Sequence, residues 1–285
     1  MTQFLIGADP EIFLQNTNTK QFISAHGLIK GTKENPTKVR YGAHQVDGMA
    51  LEFNIEPALT QKHFTRNILN VKASLERKIK KIAPNLSLAV VPVAHFTQKH
   101  MEKTPDEAKI LGCEPDYNAY SGALNPPPNP NTRMRTCAGH IHIGWTENKD
   151  PLEQIHFKDC ERITRALDNS LYMFSHLWDK DTKRRKLYGQ PGAFRPKPYG
   201  VEYRVLSNAW LKDKTLIDFV FGVTTLICND LDLINKLCRS DRARWYQIPS
   251  AFQAAKTVLH YNPEFEPLLL KIPSYWPVED HYRAY

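Results

Sequence analysis

Cysteines, long apolar runs and targeting signals are scarce in this chain of 285 residues. Its five cysteines are an odd number without a C-x-x-C pair, which argues against a disulfide framework or a thiolate zinc site. The most apolar stretch, 216–228, is too short to span a bilayer and is broken by Asp218. The first residues lack the basic and apolar regions of a secretory signal. We therefore expect a cytoplasmic protein without a membrane partner.

The usual phosphate-binding loops are also missing. Neither G-x-G-x-x-G nor G-x-x-x-x-G-K-[ST] occurs, and residues 27–33 only loosely imitate the second. Yet the net charge of +8 favours anionic partners. A nucleotide would therefore have to be held by metal ions and arginines.

What is present is a globular composition, with 41% hydrophobic and 24% charged residues. Periodicity predicts helices and half-buried strands joined by long, irregular connections, which favours an α+β fold with a mainly antiparallel sheet. We expect one domain over residues 1–285, with an exposed proline-rich loop at 124–131. The predicted helices are 60–82, 150–178, 214–238 and 250–260, and the predicted strands are 4–14, 49–56, 87–93, 138–145 and 201–207.

The polar faces of four predicted strands carry ligand-type side chains. Successive residues of a strand point to opposite faces, so an apolar face alternates with a face of carboxylates, imidazoles or guanidiniums. Threonine, lysine and serine would be expected on an ordinary solvent-facing strand. The residues on these faces are Asp9 and Glu11; Glu52, Asn54 and Glu56; His140 and His142; and Glu202 and Arg204.

If these strands share one sheet, the polar face forms a cation site beside an anion clamp. Carboxylates with one or two histidines suit Mg²⁺ or Mn²⁺ better than a thiolate-rich zinc site. Mg²⁺ is commonly shared with substrate phosphates, and ATP is the obvious source of these. Arg195 and Arg204 can neutralise a transferring phosphoryl group because guanidinium forks match phosphate oxygens.

Four motifs in order resemble a known family. They are GADPE (7–11), DGMALEFNIEPA (47–58), CAGHIHIGW (137–145) and GAFRPKPYGVEYRVLSNAWL (192–211). Together they resemble the carboxylate–amine ligases, or amidoligases, of the glutamine synthetase and glutamate–cysteine ligase superfamily, in particular the type-two enzymes of tailed bacteriophages.

The resemblance implies a curved antiparallel sheet backed by helices, with the active site on its concave face. It also implies that ATP phosphorylates a carboxylate and that an amine displaces the phosphate to form an amide, in the host cytoplasm if the chain is phage-encoded. Small-molecule or peptide carboxylates and amines would be the substrates. Position 9 carries aspartate where many relatives carry glutamate, and position 200 carries glycine where glutamine synthetases carry arginine.

Site roles follow from the matching positions. Arg195 and Arg204 would bind phosphate and stabilise its transfer, with Arg195, Lys197 or Arg185 compensating for the missing arginine. His140 would bind substrate or steady the acyl phosphate, and Glu52 or Asp47 is a candidate general base. The expected metal ligands are Asp9, Glu11, Glu52, Glu56, His142 and Glu202.

Other interpretations remain open from the sequence. The histidines can be polar positions of an exposed strand, and Asp9-Pro10 can be a turn. A metal-dependent amide hydrolase would use the H-x-H strand, and a kinase-like phosphotransferase would stop at a phosphorylated product. A nucleic-acid-binding protein would use the basic segment 183–197, although this alternative is not favoured.

Overall fold

The computed structural model describes residues 3–109, 116–126, 132–176 and 178–230, together with residues 232, 234 and 235. The predicted helix 250–260 lies outside this part of the chain, as do most residues after 230. The extent of the domain over residues 1–285 therefore stays a prediction. Within the described residues, no helix has both the length and the apolar character needed to cross a bilayer.

The described helices follow the predicted periodicity closely. The first begins after Thr60, whose side chain accepts a hydrogen bond from the backbone N–H of His63. Its apolar residues, including Phe64, Ile68 and Leu75, are fully buried. The helices are α1 (Gln61–Ile82), α2 (Gln98–Lys103), α3 (Asp106–Lys109), α4 (Gln154–Leu167), α5 (Met173–Ser175), α6 (Thr182–Leu187) and α7 (Lys214–Asn229). A π-helical turn covers Asp168–Tyr172 and a 3₁₀ helix covers Asn208–Lys212.

The fourth helix starts later than the sequence predicts. Asp150 does not cap α4, because its carboxylate accepts a hydrogen bond from the N–H of Leu152 in a local turn. The helix begins at Gln154, and Glu153 precedes it without a side-chain cap. A short acidic side chain before a proline favours such a turn, so the predicted helix start at residue 150 is wrong.

The strands form an antiparallel framework, which confirms the α+β class. Every strand pair among the described residues is antiparallel. The strands are β1 (Leu5–Ala8), β2 (Glu11–Asn16), β3 (Phe22–Ile23), β4 (Thr37–Val39), β5 (Gly42–Asp47), β6 (Ala50–Ile55), β7 (Leu86–Ala89), β8 (Val93–His95), β9 (Tyr117–Asn118), β10 (Met134–Thr136), β11 (Ile141–Gly144), β12 (Ala193–Lys197) and β13 (Gly200–Tyr203).

These strands make two large sheets and one two-stranded sheet. The first sheet has the order β1-β11-β13-β12-β9, and the second has the order β3-β2-β6-β5-β4, with β7 also pairing with β2. Strands β8 and β10 pair with each other. One apolar face of the first sheet, with Ile6, Ile141, Val201 and Tyr203, is fully buried in the main core.

The predicted single strand 4–14 is wrong, because it is two strands in two sheets. The strand is interrupted at Asp9 and Pro10, because proline has no N–H to continue the hydrogen-bond ladder. The sheets nevertheless remain joined there, because the Glu11 N–H donates to the Ala138 carbonyl (2.9 Å). On the other side, the Phe53 N–H donates to the Pro10 carbonyl (3.2 Å). Asp9 and Glu11 therefore lie where the two sheets meet.

Candidate active site

The register of the first sheet brings five predicted residues into two adjacent rows. His142 lies opposite Gly7 on β1 and opposite Glu202 on β13, and Glu202 lies opposite Arg195 on β12. In the next row, the Asp9 N–H approaches the His140 carbonyl at 3.4 Å. The polar face predicted from alternation is therefore present in these strands.

The second sheet supplies two further carboxylates. Glu11 pairs with Glu52, and Glu52 pairs with Gln45. Gln45 Nε2 donates to Glu52 Oε2 (2.9 Å), while Glu11 Oε2 accepts the backbone N–H of Ala138 (2.7 Å). Each carboxylate is thus oriented by a hydrogen bond through one of its oxygens.

Asp9, His142 and Glu202 form a cluster with the spacing of a metal site. Their ligand atoms lie within 4.8 Å of one another. His142 Nε2 is 3.0 Å from Asp9 Oδ2, and His142 Nδ1 is 2.5 Å from the hydroxyl of Tyr199. A hydrogen bond to the second ring nitrogen is the usual way of orienting a ligating histidine. Two carboxylates and one imidazole suit a divalent cation.

His140 occupies the centre of the site as a neutral imidazole. Its side chain is buried, and Nδ1 lies 3.4 Å from both Asp9 Oδ1 and Glu202 Oε1. Burial, reinforced by the positive charge of Arg204, lowers its pKa to about 3. This burial excludes the interpretation of His140 as a solvent-facing position on an exposed strand.

A group of cations surrounds Glu202. Arg195 Nη1 donates to Glu202 Oε2 (3.2 Å), Lys197 Nζ lies 3.3 Å from the same oxygen, and Arg204 Nη1 bonds Oε1. Arg204 Nε also donates to Asp116 Oδ2 (3.1 Å). Arg195 and Arg204 line the same cavity as Asp9 and Glu202. This cavity can therefore receive an anion next to the candidate cation site.

The carboxyl groups of the site repel one another. Burial, followed by the charge of Asp47, raises the pKa of Glu11 to about 7. Burial and nearby carboxylates, Asp9 foremost, also raise the pKa of Glu52 and of Glu202. Burial raises the pKa of Asp9 as well, but His142 and His140 outweigh it and hold that pKa well below its usual range. A divalent cation would relieve this repulsion, so the donor set fits Mg²⁺ or Mn²⁺.

Two predicted site residues lie apart from this cluster. Glu56 follows the end of β6, is exposed, and is not among the residues that line the cavity. Arg185 is buried and bonds to the Asp179 carbonyl (3.0 Å) and to His176 Nδ1 (3.1 Å). Lys197 lies opposite Gly200 in the register, and its Nζ is 3.3 Å from Glu202 Oε2.

The basic segment 183–197 does not form the solvated patch that nucleic-acid binding requires. Arg184 is 1% exposed and donates to the Val205 carbonyl (2.7 Å), and Arg185 is buried beside it. Arg195 and Lys197 contact Glu202. Most of these cations are thus directed into the protein, so the structure gives this alternative little support.

The site also contains residues that the sequence did not single out. Asp116 precedes the short strand β9, and Tyr199 lies in the turn between β12 and β13. Lys33, from the β3–β4 connection, lines the cavity with Asp9 and Glu52. Loop residues carry no strand periodicity, so no sequence signal marks Asp116 or Lys33. Tyr199 could have been found from its place in a hairpin between two ligand-bearing strands.

A comparison with protein families identifies the chain. The family model described as phage phiEco32-like COOH.NH2 ligase-type 2 matches residues 132–282, a little over half of the chain. The matched region contains His140, His142, Arg195, Glu202 and Arg204. No curated protein matches the chain. The family match, together with a carboxylate–imidazole cluster beside a guanidinium pair, establishes that this protein belongs to the phage phiEco32-like COOH.NH2 ligases of type 2.

Proposed function

We propose that this ligase forms an amide or peptide bond in an ATP- and Mg²⁺-dependent reaction that passes through an acyl phosphate. The proposal rests mainly on the cluster of Asp9, His142 and Glu202, which lies beside Arg195 and Arg204. It includes a glutamine synthetase-like catalytic fold with the site on the concave face of the sheet. Mn²⁺ is an alternative to Mg²⁺.

The proposed overall reaction balances as a condensation driven by a nucleotide. A carboxylate, an alkylammonium ion and ATP give an amide, ADP, inorganic phosphate and one proton. When bound, ATP supplies the phosphoryl group that converts a poor acyl donor into a good one, and Mg²⁺ neutralises phosphate charge. The remaining task of the chain is to position the reactants and to stabilise charge.

Each side chain has a proposed part in that task. Asp9, His142 and Glu202 hold a cation, and Glu11 and Glu52, which line the same cavity as Asp9, complete its acidic surroundings. Arg195 and Arg204 contact Glu202 in this structure. When Glu202 binds the cation, the two guanidinium groups are released and bind the transferring anion. Neutral His140 binds the substrate through a hydrogen bond and adds no charge.

The proposed location is the cytoplasm, where ATP and Mg²⁺ are available, and a phage-encoded chain would act in the host cytoplasm. The substrates are proposed to be small-molecule or peptide carboxylates and amines. An H-x-H hydrolase is less consistent with the structure because one histidine and two carboxylates form the cluster. An extended basic nucleic-acid surface is less consistent because Arg184 and Arg185 are buried.

A coupled assay tests the proposal. The full chain is incubated with ATP and Mg²⁺ against pools of amino acids, peptides and amines, while ADP and phosphate are measured. Mass spectrometry then searches for a product lighter by one water than its two precursors. ADP release that requires both a carboxylate and an amine supports the ligase. A stable phosphorylated carboxylate without amide would identify a phosphotransferase, and an ATP-independent product would identify a hydrolase.

Matched variants connect this activity to the site. Glu11→Gln and Glu52→Gln are expected to lower turnover at least about 100-fold because each removes a charge from the cation site. Glu56→Gln is the control, since it makes the same change at an exposed position outside the cavity. Equal activity in all three variants would show that turnover does not depend on this site.

A further inference from the structure

A second cavity adjoins the candidate active site. Its volume is about 710 Å³, within the usual range of small-molecule sites. Both cavities are lined by Asp9, Glu52 and Lys33, which therefore lie at their junction. A ligand in the second cavity would meet a ligand in the first beside the cluster of Asp9, His142 and Glu202.

The two cavities differ in their cationic side chains. The first is lined by the guanidinium groups of Arg135, Arg195 and Arg204, together with the carboxylates of Asp9, Glu11, Asp47, Glu52 and Glu202. Among the described residues, the lining of the second has no arginine and contains the carboxylates of Asp9, Glu52 and Glu147, with Lys33 at the junction. The guanidinium groups can hold an anionic nucleotide or carboxylate in the first cavity, whereas the excess of carboxylates over cations in the second favours a cation.

The second cavity also has an aromatic wall, formed by Trp145 and Tyr199. The backbone N–H of Trp145 donates to the backbone carbonyl of Tyr199 (2.9 Å), which holds the two residues next to each other. The Trp145 ring packs against Phe4 and His156, with ring centroids 6.1 and 5.6 Å away. Aromatic rings with nearby carboxylates are a common setting for an alkylammonium group.

The size of the cavity indicates the size of the amine. Ammonia occupies about the volume of a water molecule, roughly 30 Å³ in the liquid. A cavity of about 710 Å³ has room for a much longer molecule. Leu5, Ile55 and Pro57 add apolar surface for a hydrocarbon stem.

We propose that this second cavity binds the amine substrate, and that this substrate is a primary ammonium on an apolar stem, such as a lysine side chain or a free diamine. The inference rests on the proposed ligase function. The ammonium end would lie toward Asp9 and Glu52 at the junction, and the stem would lie along Trp145.

Direct binding tests this without relying on turnover. Tryptophan fluorescence of the full chain is followed during titration with n-pentylamine, and with pentanoate and 1-pentanol as anionic and neutral probes of equal length. We expect n-pentylamine to bind at least tenfold more tightly than either. Tighter binding of pentanoate would overturn the proposal.

Two variants locate the binding. Glu147 is exposed, so Glu147→Lys should fold, and it should weaken n-pentylamine binding at least fivefold. Glu76→Lys makes the same change at a half-exposed position of α1, outside the lining of both cavities, and should not alter binding. Trp145→Phe should keep the affinity and remove most of the fluorescence change. Unchanged affinity in Glu147→Lys, or an unchanged signal in Trp145→Phe, would place the amine elsewhere.

The source of the amine is distinguished by two further probes, 1,5-diaminopentane and Nα-acetyl-lysinamide. Tighter binding of the first would indicate a free diamine, and tighter binding of the second a polypeptide lysine. Binding without any ATP turnover would support the amine cavity and count against the ligase reaction. Turnover with a KM that Glu147→Lys leaves unchanged for every amine would support the ligase reaction and count against the amine cavity.

Discussion

Nε2 of His142, on β11, lies 3.0 Å from Oδ2 of Asp9, which directly follows the end of β1. The contact follows from register, since β11 places His142 opposite Gly7, two residues before Asp9. Asp9 and His142 are therefore positioned by backbone pairing, and Glu202 joins them from the next strand. A site held by three paired strands needs little rearrangement to bind a cation.

The first prediction concerns His142 as a metal ligand. His142→Ala should weaken Mn²⁺ binding at least about tenfold, because it removes one ligand of the cluster and the main electrostatic partner of Asp9. Electron paramagnetic resonance of free Mn²⁺ during a titration measures this affinity. His63→Ala, at an exposed position of α1, is the control. An affinity equal to that of the wild type would exclude His142 from the metal site.

A second prediction concerns the Tyr199 hydroxyl, which lies 2.5 Å from His142 Nδ1. Tyr199→Phe removes this contact and should lower Mn²⁺ affinity roughly tenfold, because the imidazole loses the group that orients it. The ring remains, so packing against His142 is retained.

Tyr41→Phe is the matched control, because its ring packs under Arg40 and Arg66 away from the candidate site. Both variants should keep the thermal stability of the wild type within a few degrees. If Tyr199→Phe and Tyr41→Phe gave the same Mn²⁺ affinity, the hydroxyl would have no part in orienting His142.

Local patterns were sufficient to predict the strand faces of the site. Alternation alone placed His140 with His142 and Glu202 with Arg204, because a period of two depends only on the strand itself. The same rule failed for Glu56, since β6 ends at Ile55 and the alternation ends with it. It also joined residues 4–14 into one strand, although Pro10 divides them between two sheets.

The remaining parts of the site depend on tertiary contacts. The basic segment 183–197 left a nucleic-acid surface open as an alternative, but the structure buries Arg184 and Arg185, with Arg184 bonded to the Val205 carbonyl. Asp116 reaches Arg204 from a distant segment. No local sequence pattern encodes such pairs, because the choice of partner is made by chain topology.

A third prediction concerns the effect of the Glu11 carboxyl group on the free energy of unfolding. Burial and the neighbouring Asp47 raise its pKa to about 7, whereas an unfolded glutamate loses its proton near 4.5. The folded protein therefore keeps a proton that the unfolded chain releases between these values, so without metal this group lowers stability as the pH rises from 4.5 to 7. Glu11→Gln cannot titrate and should be more stable than the wild type at pH 8, by on the order of 2 kcal/mol.

Urea unfolding in EDTA at pH 5 and pH 8 measures this difference. The gain in Glu11→Gln should shrink toward pH 5, where the wild-type carboxyl is protonated in the folded state. Added Mg²⁺ should stabilise the wild type more than the variant, because a ligand stabilises the state that binds it. A variant that is less stable than the wild type at pH 8 would show that the Glu11 carboxylate is favourably solvated or paired.

The last prediction concerns Gly200, the position at which the resemblance to glutamine synthetases leads one to expect an arginine. Its φ of +151° is one that residues with a side chain rarely adopt, and an added Cβ would lie 2.0 Å from the Ile143 carbonyl oxygen and 2.8 Å from the Trp145 ring. Gly200→Ala should therefore cost at least about 3 kcal/mol of unfolding free energy, through strain and displacement of both strands. Gly144→Ala, opposite it on β11, is the control, since a Cβ there meets its nearest atom at 3.6 Å.

Urea unfolding of both alanine variants distinguishes a steric need for glycine from a general intolerance of this pair of strands. A change of less than about 1 kcal/mol is expected for Gly144→Ala, because its Cβ makes ordinary contacts. If Gly200→Ala were equally mild, the backbone at position 200 would be able to carry a side chain. An arginine there would then be sterically possible, and Lys197 would not be needed in its place beside Glu202.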